Sequence, residues 1–224
     1  DVRLWLRQCQ PCARYHRGPP PRQAALNPFA ASEPFEIISI DITGPHPRSR
    51  NGNQYIMTVV DLFSKYADAF PIRRHTAPVV AKKLLEQVFV RFGAPLRILS
   101  DQGPEFESTL IAELCRLLNI DKIHTSPYKP STNGACERFH RTLNSMIAKV
   151  ITESQRDWDD HIPMIMSAYR GTVHESTGFT PNFLLFGREN RMPVDVIMAS
   201  LDDPKEECPS GAEYAAELVD RLRM

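Results

Sequence analysis

Three acidic side chains stand where a carboxylate is either costly or conspicuous. Asp41 falls inside the apolar run Ile38-Ser-Ile-Asp-Ile42, Asp101 closes the run Leu96-Arg-Ile-Leu-Ser100, and Glu137 opens a long amphipathic segment. A charge set in an apolar strand is expensive unless it is paired or binds a metal. Three carboxylates brought to one point repel one another and take up protons unless cations neutralise them. Hard divalent ions suit oxygen-only ligands, so the set implies Mg²⁺ or Mn²⁺. Two such ions, roughly 3.5–4 Å apart, activate an attacking oxygen and stabilise the leaving oxygen of an in-line phosphoryl displacement. Any one of the 27 acids taken alone is usually a solvated surface group. It is the combination that points to chemistry. Asp61, in Val59-Val-Asp-Leu-Phe63, is another acid in an apolar setting and reads as a turn or structural residue.

The elements that must carry these residues follow from hydrophobic period. Phe35–Ile42 is rich in β-branched residues and ends at a Thr-Gly-Pro turn; Asn51-Gly-Asn leads into a second run, Tyr55–Val60; Tyr66–Ile72 is a third. The period then changes to that of a helix. Thr76 can cap it with Pro78 in its first turn, Val80, Leu84, Val88 and Phe92 form its stripe, and Gly93 ends it. Residues 96–100 are a short strand delivering Asp101 to its C-terminal end. A helix with Leu110, Ile111, Leu114, Cys115 and Leu118 on one side comes next, then a fifth strand, Ile120–Thr125. The stretch 126–134 has loop composition. A long helix to about Thr152 follows, with the seam Cys136, Phe139, Leu143, Met146, Ile147 and Val150 and with Glu137, Arg141 and Asn144 off it. Another helix covers Asp157–Tyr169. The order β-β-β-α-β-α-β-α predicts an α/β domain with a ribonuclease-H-like, mixed five-stranded sheet flanked by helices. If the first and fourth strands are neighbours, Asp41 and Asp101 converge at their ends.

Bulk properties bound this reading. A chain of 224 residues with 42% hydrophobic content holds one sizeable core plus appendages. No apolar run approaches the roughly 20 residues of a membrane span. Basic and acidic residues balance at 27 each, so no domain-wide positive field announces a nucleic-acid partner. Local clusters do occur: basic at Arg14, Arg17, Arg22, Arg48, Arg50 and again at Arg73, Arg74, Lys82, Lys83, acidic at Asp202, Asp203, Glu206, Glu207. Five cysteines form no regular framework, and an intracellular, reducing setting is expected. The chain opens on Asp1 rather than Met, so a piece of a longer polyprotein is expected.

The flanks of the acids carry a resemblance. Asp41 stands in Asp-Ile-Thr-Gly-Pro, Asp101 in Leu-Ser-Asp-Gln-Gly and Glu137 in Asn-Gly-Ala-Cys-Glu-Arg-Phe, with 35 residues between the last two. This is similar to the D,D(35)E core of retroviral integrases and, more closely, those of gypsy-type long-terminal-repeat retrotransposons. Val59-Val-Asp-Leu-Phe-Ser-Lys-Tyr66, Arg91-Phe-Gly-Ala-Pro95, Ser126–Gly134, Trp158, Ala168-Tyr-Arg170, His174–Pro181 and Leu185-Phe-Gly-Arg188 extend the likeness over about residues 5–195. The resemblance implies a metal-dependent polynucleotidyl transferase, trimming the 3′ ends of the element's DNA and joining them to target DNA in the nucleus. Asp41, Asp101 and Glu137 would hold two Mg²⁺ or Mn²⁺ ions, and the protein would act as a homo-oligomer on double-stranded DNA. Loop residues Tyr128, Lys129, Ser131 and Asn133 are expected to contact DNA, with Arg138 and Arg141 neutralising phosphates beside the metals. His140, Lys129 and Ala135-Cys136 depart from residues common in the family.

The expected domains are a remnant of an N-terminal zinc-binding domain (1–17), a linker (18–33) around Gly18-Pro-Pro-Pro-Pro, the catalytic core (34–198) and a C-terminal helical extension (199–224). In the family, two upstream His and a Cys-x-x-Cys bind zinc; here Cys9 and Cys12 are ligands only in a longer parent, because structural zinc wants four. Two other functions compete. One is a domesticated integrase-derived host protein serving as a non-catalytic DNA- or protein-binding module. The other is a free-standing ribonuclease-H-type nuclease, against which the His174–Arg188 segment argues.

Overall fold

The computed structural model describes residues 31–124, 134–151 and 155–190. Its elements are strands β1 (Ile37–Thr43), β2 (Tyr55–Asp61) and β3 (Ala67–Ile72), helix α1 (Ala77–Lys83) running into a π-helical stretch (Leu84–Phe89) and a last turn α2 (Val90–Phe92), then β4 (Arg97–Ser100), α3 (Thr109–Leu117), β5 (Asp121–His124), α4 (Gly134–Val150), α5 (Trp158–Arg170) and α6 (Pro181–Phe186). The five strands make one sheet in the order β3-β2-β1-β4-β5. The β1–β2 and β2–β3 pairs are antiparallel, while β1–β4 and β4–β5 are parallel. This is the mixed sheet expected from the order of elements, and β1 and β4 are indeed neighbours.

Alternation along β1 sorts the two faces. Ile38 and Ile40 join Met57, Val59, Phe70 and Ile72 on one face, covered by Val80, Leu84 and Val88 of the first helix and by Ile111 and Cys115 of α3. Ile56, Val60, Ala67 and Ala69 face the other way, covered by Cys136, Phe139, Leu143 and Ile147 of α4 and by Trp158, Ile162, Ile165 and Met166 of α5. Fully burying an aliphatic side chain contributes about 1.5–3 kcal/mol, so these two layers fix the sheet and helices as one unit. The polar residues Ser39, Asp41 and Thr58 lie on the α4 face, because Ser39 and Asp41 alternate with the buried isoleucines and Thr58 pairs with Asp41.

Three sequence expectations are corrected. The first helix is not a regular α-helix: its π-helical turn adds a residue, so Phe89 is buried beside Val88, and Phe92 stacks on Phe35 at 4.2 Å. The stripe of α3 is narrower than five residues. Leu110 and Leu118 are 44% and 37% exposed, because nine residues give only two turns to pack. On α4 the seam ends at Ile147, and Val150 is exposed. Asp61 plays the structural part expected of it. Fully buried, it accepts from the backbone N–H groups of Phe35 (3.0 Å), Phe63 (3.3 Å) and Ser64 (2.8 Å) and from the Ser64 hydroxyl. Burial lifts its carboxyl above the usual range, and these four hydrogen bonds pull against that rise.

Candidate active site

The parallel β1–β4 register aligns Ser39 with Leu99. Asp41 lies two residues further along within β1, and Asp101 follows the last residue of β4, so the two acids stand on neighbouring parallel strands. Each carboxylate is held by its own backbone. Asp41 Oδ1 accepts from the N–H of Ile42 at 2.8 Å. Asp101 Oδ1 accepts from the N–H of Gly103 at 3.0 Å, a tight turn in which Gly103 leaves room: a Cβ there would stand 3.1 Å from Asp101 Oδ1 and from Glu105 Oε1. Phe106, 1% exposed, anchors the rest of that loop, and Lys122 Nζ of β5 donates to its carbonyl.

Helix α4 lies over the same face. The Cys136 thiol donates to Ser39 Oγ at 3.1 Å. His140, one turn on, meets Thr58 Oγ1 through Nε2 at 2.7 Å and has Nδ1 3.6 Å from Asp41 Oδ2. Glu137 sits between them in the first turn of α4, so its backbone is on the helical turn that covers Asp41; its side chain lies outside the described residues. Thr58 Oγ1 also lies 3.2 Å from the carbonyl oxygen of Asp41, so Thr58 and His140 together line Asp41 from β2 and α4. Burial, and then the nearby His46, keep the His140 imidazole below its usual pKa, in accord with a neutral ring. Asp41 and Asp101 are partly buried carboxylates, oxygen donors of the kind a hard divalent ion takes.

Among the described residues, no three His, Cys, Asp or Glu side chains form a cluster able to hold a metal. The two aspartates account for two of the three acids read from the sequence. Tyr128, Lys129, Ser131 and Asn133, like Cys9 and Cys12 and the extension 199–224, lie outside the described residues. Arg138 and Arg141 are exposed on α4. The sequence reading missed the Thr58–His140–Asp41 contact. Its signal was present: His140 is four residues from Cys136 on the buried seam and three from Glu137.

Residues 31–130 match the family model described as "Integrase core domain". The chain carries an integrase core domain. It is 33% identical over 159 residues to the retrovirus-related Pol polyprotein from transposon 412 of Drosophila melanogaster, covering 71% of this chain and 13% of that protein. It is 31% identical over 204 residues to the gypsy retrotransposon integrase-like protein 1 of Bos taurus, covering 90% and 40%. The chain thus spans well under half the length of these relatives. The fold is that of solved integrase cores. One is the HTLV-2 integrase catalytic core domain in complex with magnesium (TM-score 0.54, 22% identity, 68% of this chain and 97% of that one). Another is a simian T-cell lymphotropic virus intasome (TM-score 0.62, 22% identity, 89% and 67%).

Proposed function

We propose that this integrase core is the catalytic part of a retroelement integrase that cuts and joins DNA strands with divalent metal ions. The observation that supports the reading is the placement of Asp41 and Asp101 on neighbouring parallel strands, with the α4 turn that holds Glu137 carrying His140 to Asp41. Asp41, Asp101 and Glu137 would hold Mg²⁺ or Mn²⁺. The ions, when bound, supply Lewis-acid activation of the attacking oxygen and charge stabilisation of the leaving one. The chain's own part is positional. The sheet register fixes two carboxylates, backbone N–H groups orient them, and His140 lines Asp41 on its α4 side. Arg138 and Arg141, with the loop residues Tyr128, Lys129, Ser131 and Asn133, would bind the phosphates of double-stranded DNA. Assembly as a homo-oligomer is part of the proposal, supported by the multimeric relatives.

The test is strand cleavage and joining by the full chain with Mn²⁺ and a duplex carrying the element's terminal sequence. Asp41→Asn and Asp101→Asn are each expected to abolish product while leaving the metal-free melting temperature unchanged. Equal product from Asp101→Asn and the parent protein would refute the assignment.

A further inference from the structure

A cleft of about 810 Å³ opens beside α4, walled by the turn between β2 and β3, the C-terminal end of α5 and the segment 172–176. Sites for compact organic ligands run from roughly 300 to 1,000 Å³, so this one can admit more than water or a single ion. It has two chemistries. Phe139 and Tyr169, edge to face at 5.0 Å, form an apolar wall with Val173, which is 62% exposed. Lys65, Arg138, Arg141 and His174 also line the cleft, and the one acid among the described lining residues is Glu175.

None of Lys65, Arg138 and Arg141 ion-pairs with a described residue. They also press on one another: burial first, and then the charges of Lys65 and Arg138, hold His174 below its usual pKa. Lys65 does not swing freely. Its backbone is left-handed (φ 62°), its Nζ donates to the carbonyl of Leu62 at 2.6 Å, and its own carbonyl accepts from the Tyr169 hydroxyl at 3.3 Å. A group in which Lys65, Arg138 and Arg141 outnumber the single lining acid, Glu175, is a place for an anion. The adjoining aromatic wall asks for a flat apolar body on the same ligand.

A nucleotide has both parts, and only an unpaired one can turn its base into a concave cleft. We infer that this cleft takes an unpaired nucleotide of a DNA strand, its base against Tyr169 and Val173 and its phosphates on Lys65, Arg138 and Arg141. The inference rests on the integrase reading, which supplies the DNA. Arg138 follows Glu137 directly in α4, so the cleft borders the turn that covers Asp41. A strand held at the aspartates thus has neighbouring nucleotides within reach of it.

The test is fluorescence anisotropy of the 224-residue chain in EDTA, with a labelled blunt duplex and the same duplex carrying a short single-stranded overhang. One stacked base gives at least about a fivefold preference for the overhang. Lys65→Gly with His174→Ala should erase that preference and leave blunt-duplex affinity unchanged; Gly accepts the left-handed backbone, so the turn survives. Val173→Glu, at an exposed position, should erase it independently. Equal affinity of the parent for both duplexes, or variants that weaken both equally, would overturn the cleft. Because EDTA separates binding from metal-dependent chemistry, an intact preference here together with no strand joining in the Mn²⁺ assay would sink the integrase reading and keep the nucleotide site.

Discussion

Gly103→Ala tests how closely Asp101 is placed. The new methyl would stand 3.1 Å from Asp101 Oδ1 and 3.1 Å from the Glu105 carboxylate, where ordinary van der Waals contact begins near 3.4 Å. The neighbours must therefore yield by about 0.3 Å. Glu105 can turn away, its tie to His75 Nδ1 being 3.6 Å long. Asp101 has less freedom, because Oδ1 is held at 3.0 Å by the N–H of residue 103 itself, a bond that alanine retains. The shift therefore falls on the carboxylate that the proposed metal site needs. If a misplacement of about 1 Å costs roughly 10²-fold in rate, about 0.3 Å costs roughly fourfold. The backbone of Gly103 is not left-handed, so little stability is lost. Measured by Mn²⁺-dependent strand joining and by thermal melting, the expected result is a rate several-fold lower at an unchanged midpoint. Parental activity in this variant would show that Asp101 tolerates displacement and is not a metal ligand. A rate loss matched by a large drop in melting temperature would refute the local argument.

Metal binding itself should stabilise the fold. Mn²⁺ at about 100 times its dissociation constant adds about 2.7 kcal/mol, a rise of several degrees in midpoint. Asp41→Asn and Asp101→Asn should each remove most of that rise, and a rise that persists in both would place the ion elsewhere. Arg170 ties α5 to β3, donating to the Tyr66 hydroxyl at 2.7 Å and to Asp68 Oδ1 at 3.2 Å, with both members of the ion pair largely buried. Arg170→Ala should cost about 2–3 kcal/mol in urea unfolding, because Asp68 keeps only the more exposed Arg91; a change under about 0.5 kcal/mol would refute this. His46 Nε2 is buried without a partner against Trp158, and burial lowers its pKa. Below about pH 6.5 the unfolded chain takes a proton that folded His46 refuses, so stability present above that pH is lost as pH falls through it. His46→Phe should flatten the decline in midpoint between about pH 7.5 and 5.5, and an unchanged slope would exonerate His46.

The sheet was legible in the sequence because each strand alternates or runs apolar between turn residues, and the parallel crossover follows from a helix lying between the third and fourth strands. Asp41 and Asp101 stand out in the sequence because one is a charge inside an apolar run and the other closes one. The π-helical turn was not. An extra residue in a helix leaves the apolar count of Leu84–Phe89 unchanged and shows only in which of Val88 and Phe89 turns inward. The exposure of Leu110 and Leu118 was hidden for a related reason: periodicity gives the direction of a stripe, whereas its width depends on what packs against it. The cleft beside α4 was out of reach altogether. It joins Lys65, Arg138 and His174, each unremarkable in its own segment, and only the packing of α4 and α5 on β2 and β3 brings them together.

This division places different demands on the three acids. Asp41 and Asp101 sit on neighbouring parallel strands, Asp41 within β1 and Asp101 just past β4, each held by a hydrogen bond in its own turn. The third acid rides on α4, whose hold on the sheet is the seam Cys136, Phe139, Leu143 and Ile147. That helix also carries His140 to Asp41 and Arg138 and Arg141 to the cleft. Because that seam is buried against the sheet that carries Asp41, the seating of α4 sets how His140 meets Asp41 and, on the proposed reading, where Glu137 stands. DNA that engaged the proposed cleft would press on the same helix, and so would bear on that seating.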